Sequence, residues 1–207
     1  MPAILSSKKT LMQPVTPAAT RYDRTTIWIH WLTVALVAFQ WLSANLIDEF
    51  AKGAPRMMAK SVHIASRAIL LTLMLYRVFW RSTGGRRLPP ADRPALHVVA
   101  KATHWGLYAL LFTTVGLGIL TAWARGDSVF GLLSLPPLAP GDPGLGDRMR
   151  EIHGTFVNIV LILAAVHASA AILHHLVWRD GVLARMLPLG PGRVTAQPGH
   201  TNKGRVT

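Results

Sequence analysis

An all-α fold, a transmembrane up-down-up-down bundle of four helices, is what this sequence predicts. Three observations predict it. Of 207 residues, 51% are hydrophobic and only 15% are charged, and mean hydropathy is positive, which is too apolar for an ordinary soluble domain. Four apolar stretches, 25–47, 61–80, 99–123 and 152–178, each supply the roughly 20 residues needed to cross a hydrocarbon core. The segments between them differ in charge. The N-terminal tail, the 81–101 connection and the C-terminal tail together hold fourteen Lys and Arg against three Asp, whereas the other two connections hold six against six. The positive-inside bias then puts both termini in the cytoplasm. The net charge of +13 orients a membrane protein and does not call for nucleic acid.

Each element follows in order. Helix one runs outward and carries His30 near its inner end. Helix two runs back inward, with His63 at its outer start and Arg67 and Arg77 further along. Helix three runs outward from His104, and helix four runs inward through His153, His167 and His174. Trp28, Trp31, Trp80, Trp105, Trp123 and Trp178 fall near the expected helix ends, where interfacial aromatic belts form. Residues 1–20 and 188–207 are polar and rich in Pro, Gly and Thr, and are expected to be disordered cytoplasmic tails around a bundle domain at 21–187. No cleavable signal peptide and no internal repeat are evident. The outer 124–150 connection reads as an irregular loop.

Cysteine is absent, which excludes iron–sulfur clusters, thiolate zinc sites and covalent C-x-x-C-H haem attachment. Histidine is the soft-metal ligand that remains, with nine copies. His153 and His167 stand fourteen residues apart, close to four helical turns, so they share a face about 20 Å apart along the axis. Buried ionisable groups in a membrane helix are costly and usually functional. Topology converts positions into depths. His63 then matches His153 near the outer face, and His30 matches His167 nearer the inner face. Two stacked bis-histidine pairs suit two non-covalent b-type haems, each iron taking one imidazole from either side. Small residues make room for a macrocycle: Ala65, Ser66 and Ala68 near His63, Gly154 beside His153, and the Ala and Ser run around His167. Close helix packing would use small residues too. Zinc would want three or four ligands at one depth, and these come two by two.

The remaining titratable groups leave alternatives open. His104 and His174 fall below the inner pair, His104 deeper than His30 or His167, at the level of the inner headgroups. They are either the polar contacts of a quinone headgroup or ordinary interfacial histidines. Arg67 shares a face with His63, one turn on, and either pairs with a propionate of the outer haem or snorkels. Arg77 serves the inner haem or snorkels. Lys52, Arg56, Lys60, Arg148 and Arg150 are positioned to draw an anion to the outer face, against a near-zero net charge there.

Five stretches carry a resemblance: Arg21 to Trp31, residues 62–66 (VHIAS), 104–108 (HWGLY), 151–154 (EIHG) and 166–180 (VHASAAILHHLVWRD). Together they resemble the bacterial cytochrome b561 family over about residues 20–188. The resemblance implies a di-haem four-helix cytochrome of the inner membrane, with His30, His63, His153 and His167 as the iron ligands. It is similar in layout to the superoxide-oxidising members, which implies superoxide as periplasmic electron donor and ubiquinone as acceptor, the quinone lying near His174. A cytochrome b subunit that anchors a dehydrogenase or hydrogenase and relays its electrons is the rival expectation. The sequence departs from the family at Arg67, where a small residue, often glycine, is expected beside the haem.

Overall fold

The computed structural model describes residues 21–89, 94–134, 136–142 and 144–188. The expected tails, 1–20 and 188–207, lie outside these apart from Pro188. Helix α1 spans Arg24–Leu46 and starts at an Asp23 cap, whose carboxylate accepts from the Thr26 amide at 2.8 Å and the Thr26 hydroxyl at 2.7 Å. A short turn, Ile47–Glu49, closes it. Gly53, at φ +98°, reverses the chain into α2, Ala54–Thr83, with Pro55 in its first turn. Helix α3 spans Pro94–Ala124 and α4 spans Leu145–Leu173. Between them β1 (Ser128–Val129) pairs antiparallel with β2 (Leu133–Ser134), in the register Ser128 to Ser134 and Val129 to Leu133. Helix α4 widens into a π turn at His174–Trp178, which stops where Arg179 turns left-handed at φ 50°.

Each of the four long helices is apolar and long enough to cross a membrane. Helices α2 and α4 begin about two turns earlier than hydropathy predicts, at Ala54 instead of 61 and Leu145 instead of 152, and α3 begins at Pro94 instead of 99. The added turns carry Arg56, Lys60, Asp147, Arg148, Arg150 and Glu151, so no apolar signal marks them. Ion pairs hold them: Arg56 to Asp48 at 3.6 Å, Arg150 to Asp48 at 3.3 Å, Lys60 to Asp127 at 3.4 Å and Arg125 to Asp147 at 2.9 Å. The 124–150 connection is correspondingly shorter, and part of it is the β-hairpin. Ser61 pins that hairpin to α2. Its buried hydroxyl donates to the Met57 carbonyl at 2.8 Å and accepts from the Phe130 amide at 2.8 Å.

Helix α1 packs against α2 and α3 against α4, while contact between the two pairs is sparse. The buried apolar centre is small: Leu70 and Met74 of α2 with Val115 of α3, flanked by Leu36, Tyr108 and Phe112. Outward faces stay apolar, with Ile162, Val166 and Ile172 of α4 and Leu176 of the π turn exposed. Such a surface suits lipid as solvent, since every backbone group is already satisfied within its helix. At the termini end the chain is tied together by polar contacts. Asp23 also accepts from the Trp80 indole at 3.1 Å and the Arg86 amide at 3.0 Å. The Trp31 indole donates to the Met186 carbonyl at 2.8 Å, and Arg21 donates to the Leu187 carbonyl.

Candidate functional site

The sparse seam between the helix pairs holds a cavity of about 570 Å³ at the hairpin end. His63 of α2 and His153 of α4 both line it, with Arg67, Gly118 and Gly154. Each imidazole is fixed through Nδ1. His63 Nδ1 lies 2.9 Å from the Ser43 hydroxyl, which itself donates to the Gln40 carbonyl at 3.1 Å. With its proton so directed, Ser43 accepts from His63 Nδ1–H. His153 Nδ1 lies 3.0 Å from the Thr114 carbonyl, which can only accept. Both neutral rings therefore carry their proton on Nδ1 and keep the Nε2 lone pair bare. This is the tautomer of a metal-ligating histidine, whose other nitrogen donates to a second group that orients the ring. Gln40 adds a tie between α1 and α2, donating to Ser66 Oγ at 3.0 Å and to the His63 carbonyl at 3.3 Å.

Arg67 enters the same cavity from α2 and is 7% exposed. Its Nη1 is buried and has no hydrogen-bond partner among the described residues. A Cβ placed on Gly118 of α3 would stand 2.5 Å from the Arg67 Cζ, so the guanidinium lies directly on bare backbone. Toward the hairpin the cavity wall becomes charged, with Arg56, Lys60, Arg125 and Arg150 against Asp48 and Asp127. Of the five cations expected to draw an anion, three line the cavity and Lys52 and Arg148 do not, while Arg125 joins them. Arg148 is paired with Asp142, whose carboxyl it holds below the ordinary value.

The second pair sits toward the termini end. The rings of His30 and His167 are 6.5 Å apart between centroids. Two metal–imidazole bonds of about 2.1 Å plus half a ring on each side span about 6–6.5 Å, so the separation fits a metal between them. The sequence places His104 below the inner pair, at the level of the inner headgroups, yet its ring stands 5.2 Å from that of His167. The level of α4 is the reason: Gly146 lies against Arg125, and His104 and His167 are each 21 residues along their helices from that contact, so they share a depth. Among the described residues, no three His, Asp or Glu converge as a metal-ion cluster. Arg77 joins this group, donating to the Tyr108 hydroxyl at 2.8 Å and to His30 Nδ1 at 3.2 Å. His174 bonds Asp180 and stacks edge-on against Trp178 at 4.4 Å, in the π turn. Burial works to raise the Asp180 carboxyl's pKa, but hydrogen bonds from His174 and the Val182 amide hold it below the ordinary value.

Gln40, Ser43, Thr114 and Gly118 are site residues that pattern reading missed. Ser43 and Gly118 leave only the trace of a small residue in an apolar helix.

The family model for prokaryotic cytochrome b561 matches residues 21–189. A Yersinia pestis protein named "Probable superoxide oxidase CybB" is 31% identical over 175 residues, covering 81% of this chain and 96% of its own length. Two Escherichia coli K12 proteins, cytochrome b561 homologs 1 and 2, are 29% and 30% identical, covering 97% and 89% of their own lengths and 81% and 74% of this chain.

Proposed function

The chain belongs to the prokaryotic cytochrome b561 family, a multi-pass membrane cytochrome of electron transfer that binds haem b, and from that premise we propose that it moves electrons from superoxide to ubiquinone. It carries two non-covalent haems, one between His63 and His153 and one between His30 and His167. The hairpin end faces the periplasm and both termini face the cytoplasm of a bacterial inner membrane, as the Lys and Arg distribution supports. The observation that carries the reading is the pair of imidazoles lining one cavity, each held through Nδ1.

Bound haem supplies a one-electron iron couple at each level. The protein's part is to place and address it. Ser43 and the Thr114 carbonyl orient the two ligands at the hairpin end. At the termini end Arg77 would have to release His30 Nδ1 if His30 held a metal, because a metal-bound imidazole donates from its other nitrogen and arginine cannot accept. A carboxylate is the partner a freed guanidinium takes. Each superoxide gives up one electron at the hairpin end and departs as O2. Two electrons and two protons convert ubiquinone to ubiquinol at the termini end, where His104 and His174 offer its headgroup polar contacts. The name of the Yersinia pestis relative supports this donor.

The test is stopped-flow mixing of the oxidised, purified protein and ubiquinone with superoxide. Haem bands are expected to reduce, and quinol to form at one molecule per two superoxides. Haem that stays oxidised defeats the superoxide assignment and leaves the cytochrome standing. A second reading, an electron-relay and anchor subunit of a dehydrogenase or hydrogenase, draws on the exposed Leu132 and Leu133 at the hairpin tip, a surface for a partner. Such a subunit would not turn over superoxide alone.

A further inference from the structure

Arg67 is a cation one helical turn from His63, inside a membrane-spanning helix, and more than nine-tenths buried. Among the described residues its Nη1 has no hydrogen-bond partner, although it stands in the wall of a cavity and not in packed core. Desolvating a charge without a partner costs several kcal/mol, roughly. The carboxylate whose charge acts on it, Asp127, is already engaged by Lys60 at 3.4 Å and Arg125 at 4.0 Å. The guanidinium is also accommodated deliberately. On Gly118 a Cβ would meet Cζ at 2.5 Å, Nη1 at 2.7 Å and Nε at 2.8 Å, so any side chain there displaces the whole fork. A planar fork with a free N–H recognises carboxylate in two-pronged fashion.

We propose that Arg67, laid across Gly118, is an anion hook in the wall of the hairpin-end cavity: it grips a carboxylate of the bound macrocycle and raises the reduction potential of the iron between His63 and His153. A fixed positive charge in a medium of low dielectric favours the state with one more electron. The proposal rests on the haem-ligand reading above, which haem content tests separately.

The experiment uses purified holoprotein and the variants Arg67→Gln, Arg67→Lys and Gly118→Ala, with haem counted per chain and both midpoints titrated optically. Two haems and one lowered midpoint are expected in Arg67→Gln, the reduction equilibrium falling about tenfold, or about 59 mV for a one-electron couple. Lysine at 67 should restore most of that shift, because it keeps the charge. Gly118→Ala should move the same midpoint by pushing the guanidinium aside. Loss of one haem from Arg67→Gln but not from Arg67→Lys also supports the hook. Unchanged midpoints in Arg67→Gln, or equal shifts with glutamine and lysine, overturn it. Fewer than two haems in the unaltered protein defeats the ligand reading, and the hook with it.

Discussion

Asp23 gathers four donors at the termini end: the Thr26 amide and hydroxyl, the Trp80 indole and the Arg86 amide. Burial works to raise its pKa, but these hydrogen bonds outweigh it and hold the carboxyl at about 2, against an ordinary 3.8. A carboxyl depressed in the folded state stabilises fully above its unfolded value, and that contribution is lost as pH falls toward the folded one. Thermal unfolding in detergent should therefore be insensitive to this group from neutral pH down to about 5, and weaken between about pH 4 and 2. Asp23→Ala should remove that acid-dependent component and cost about 1 kcal/mol at neutral pH, as loss of a helix cap does. Unaltered acid dependence in the variant would show the knot to be inert. At this scale the histidines were legible because an intramembrane imidazole is rare enough to signal. Their orienting groups were not. Ser43 reads as one more small residue in an apolar helix, and the Thr114 contact is made by a backbone carbonyl that every residue possesses.

Among the elements, α4 is the wall shared by both proposed haem sites, since it carries His153 and His167. Replacing His153 by alanine should leave about one haem per chain, with the His30–His167 site intact, and replacing His167 should do the reverse. Haem extraction and the visible spectrum measure this. Two haems retained in either variant would break the pairing. All four helices were legible from hydropathy, but their ends were not, because the polar first turns of α2 and α4 project beyond the apolar stretch and are held by ion pairs between distant positions, such as Arg150 with Asp48. The contact of His104 with His167 escaped for a related reason. Depths counted from the apolar stretch at 152, and not from the helix start at Leu145, set His104 and His167 at different levels.

For the molecule as a whole, the charged mouth decides how an anion arrives. Arg56, Lys60, Arg125 and Arg150 outnumber Asp48 and Asp127, but the ion pairs among them blunt the field. The bimolecular rate with superoxide should fall only severalfold as the Debye length shortens from about 30 Å at 0.01 M salt to about 10 Å at 0.1 M. A rate independent of salt would remove steering from the account. The seam between the helix pairs has a consequence for how the protein is made. The α1–α2 hairpin leaves the ribosome well before α4, and each proposed haem site draws one histidine from each half. Neither half alone can hold a cofactor, so loading waits for the last helix, and the haem itself becomes the rivet that joins two separately inserted half-products.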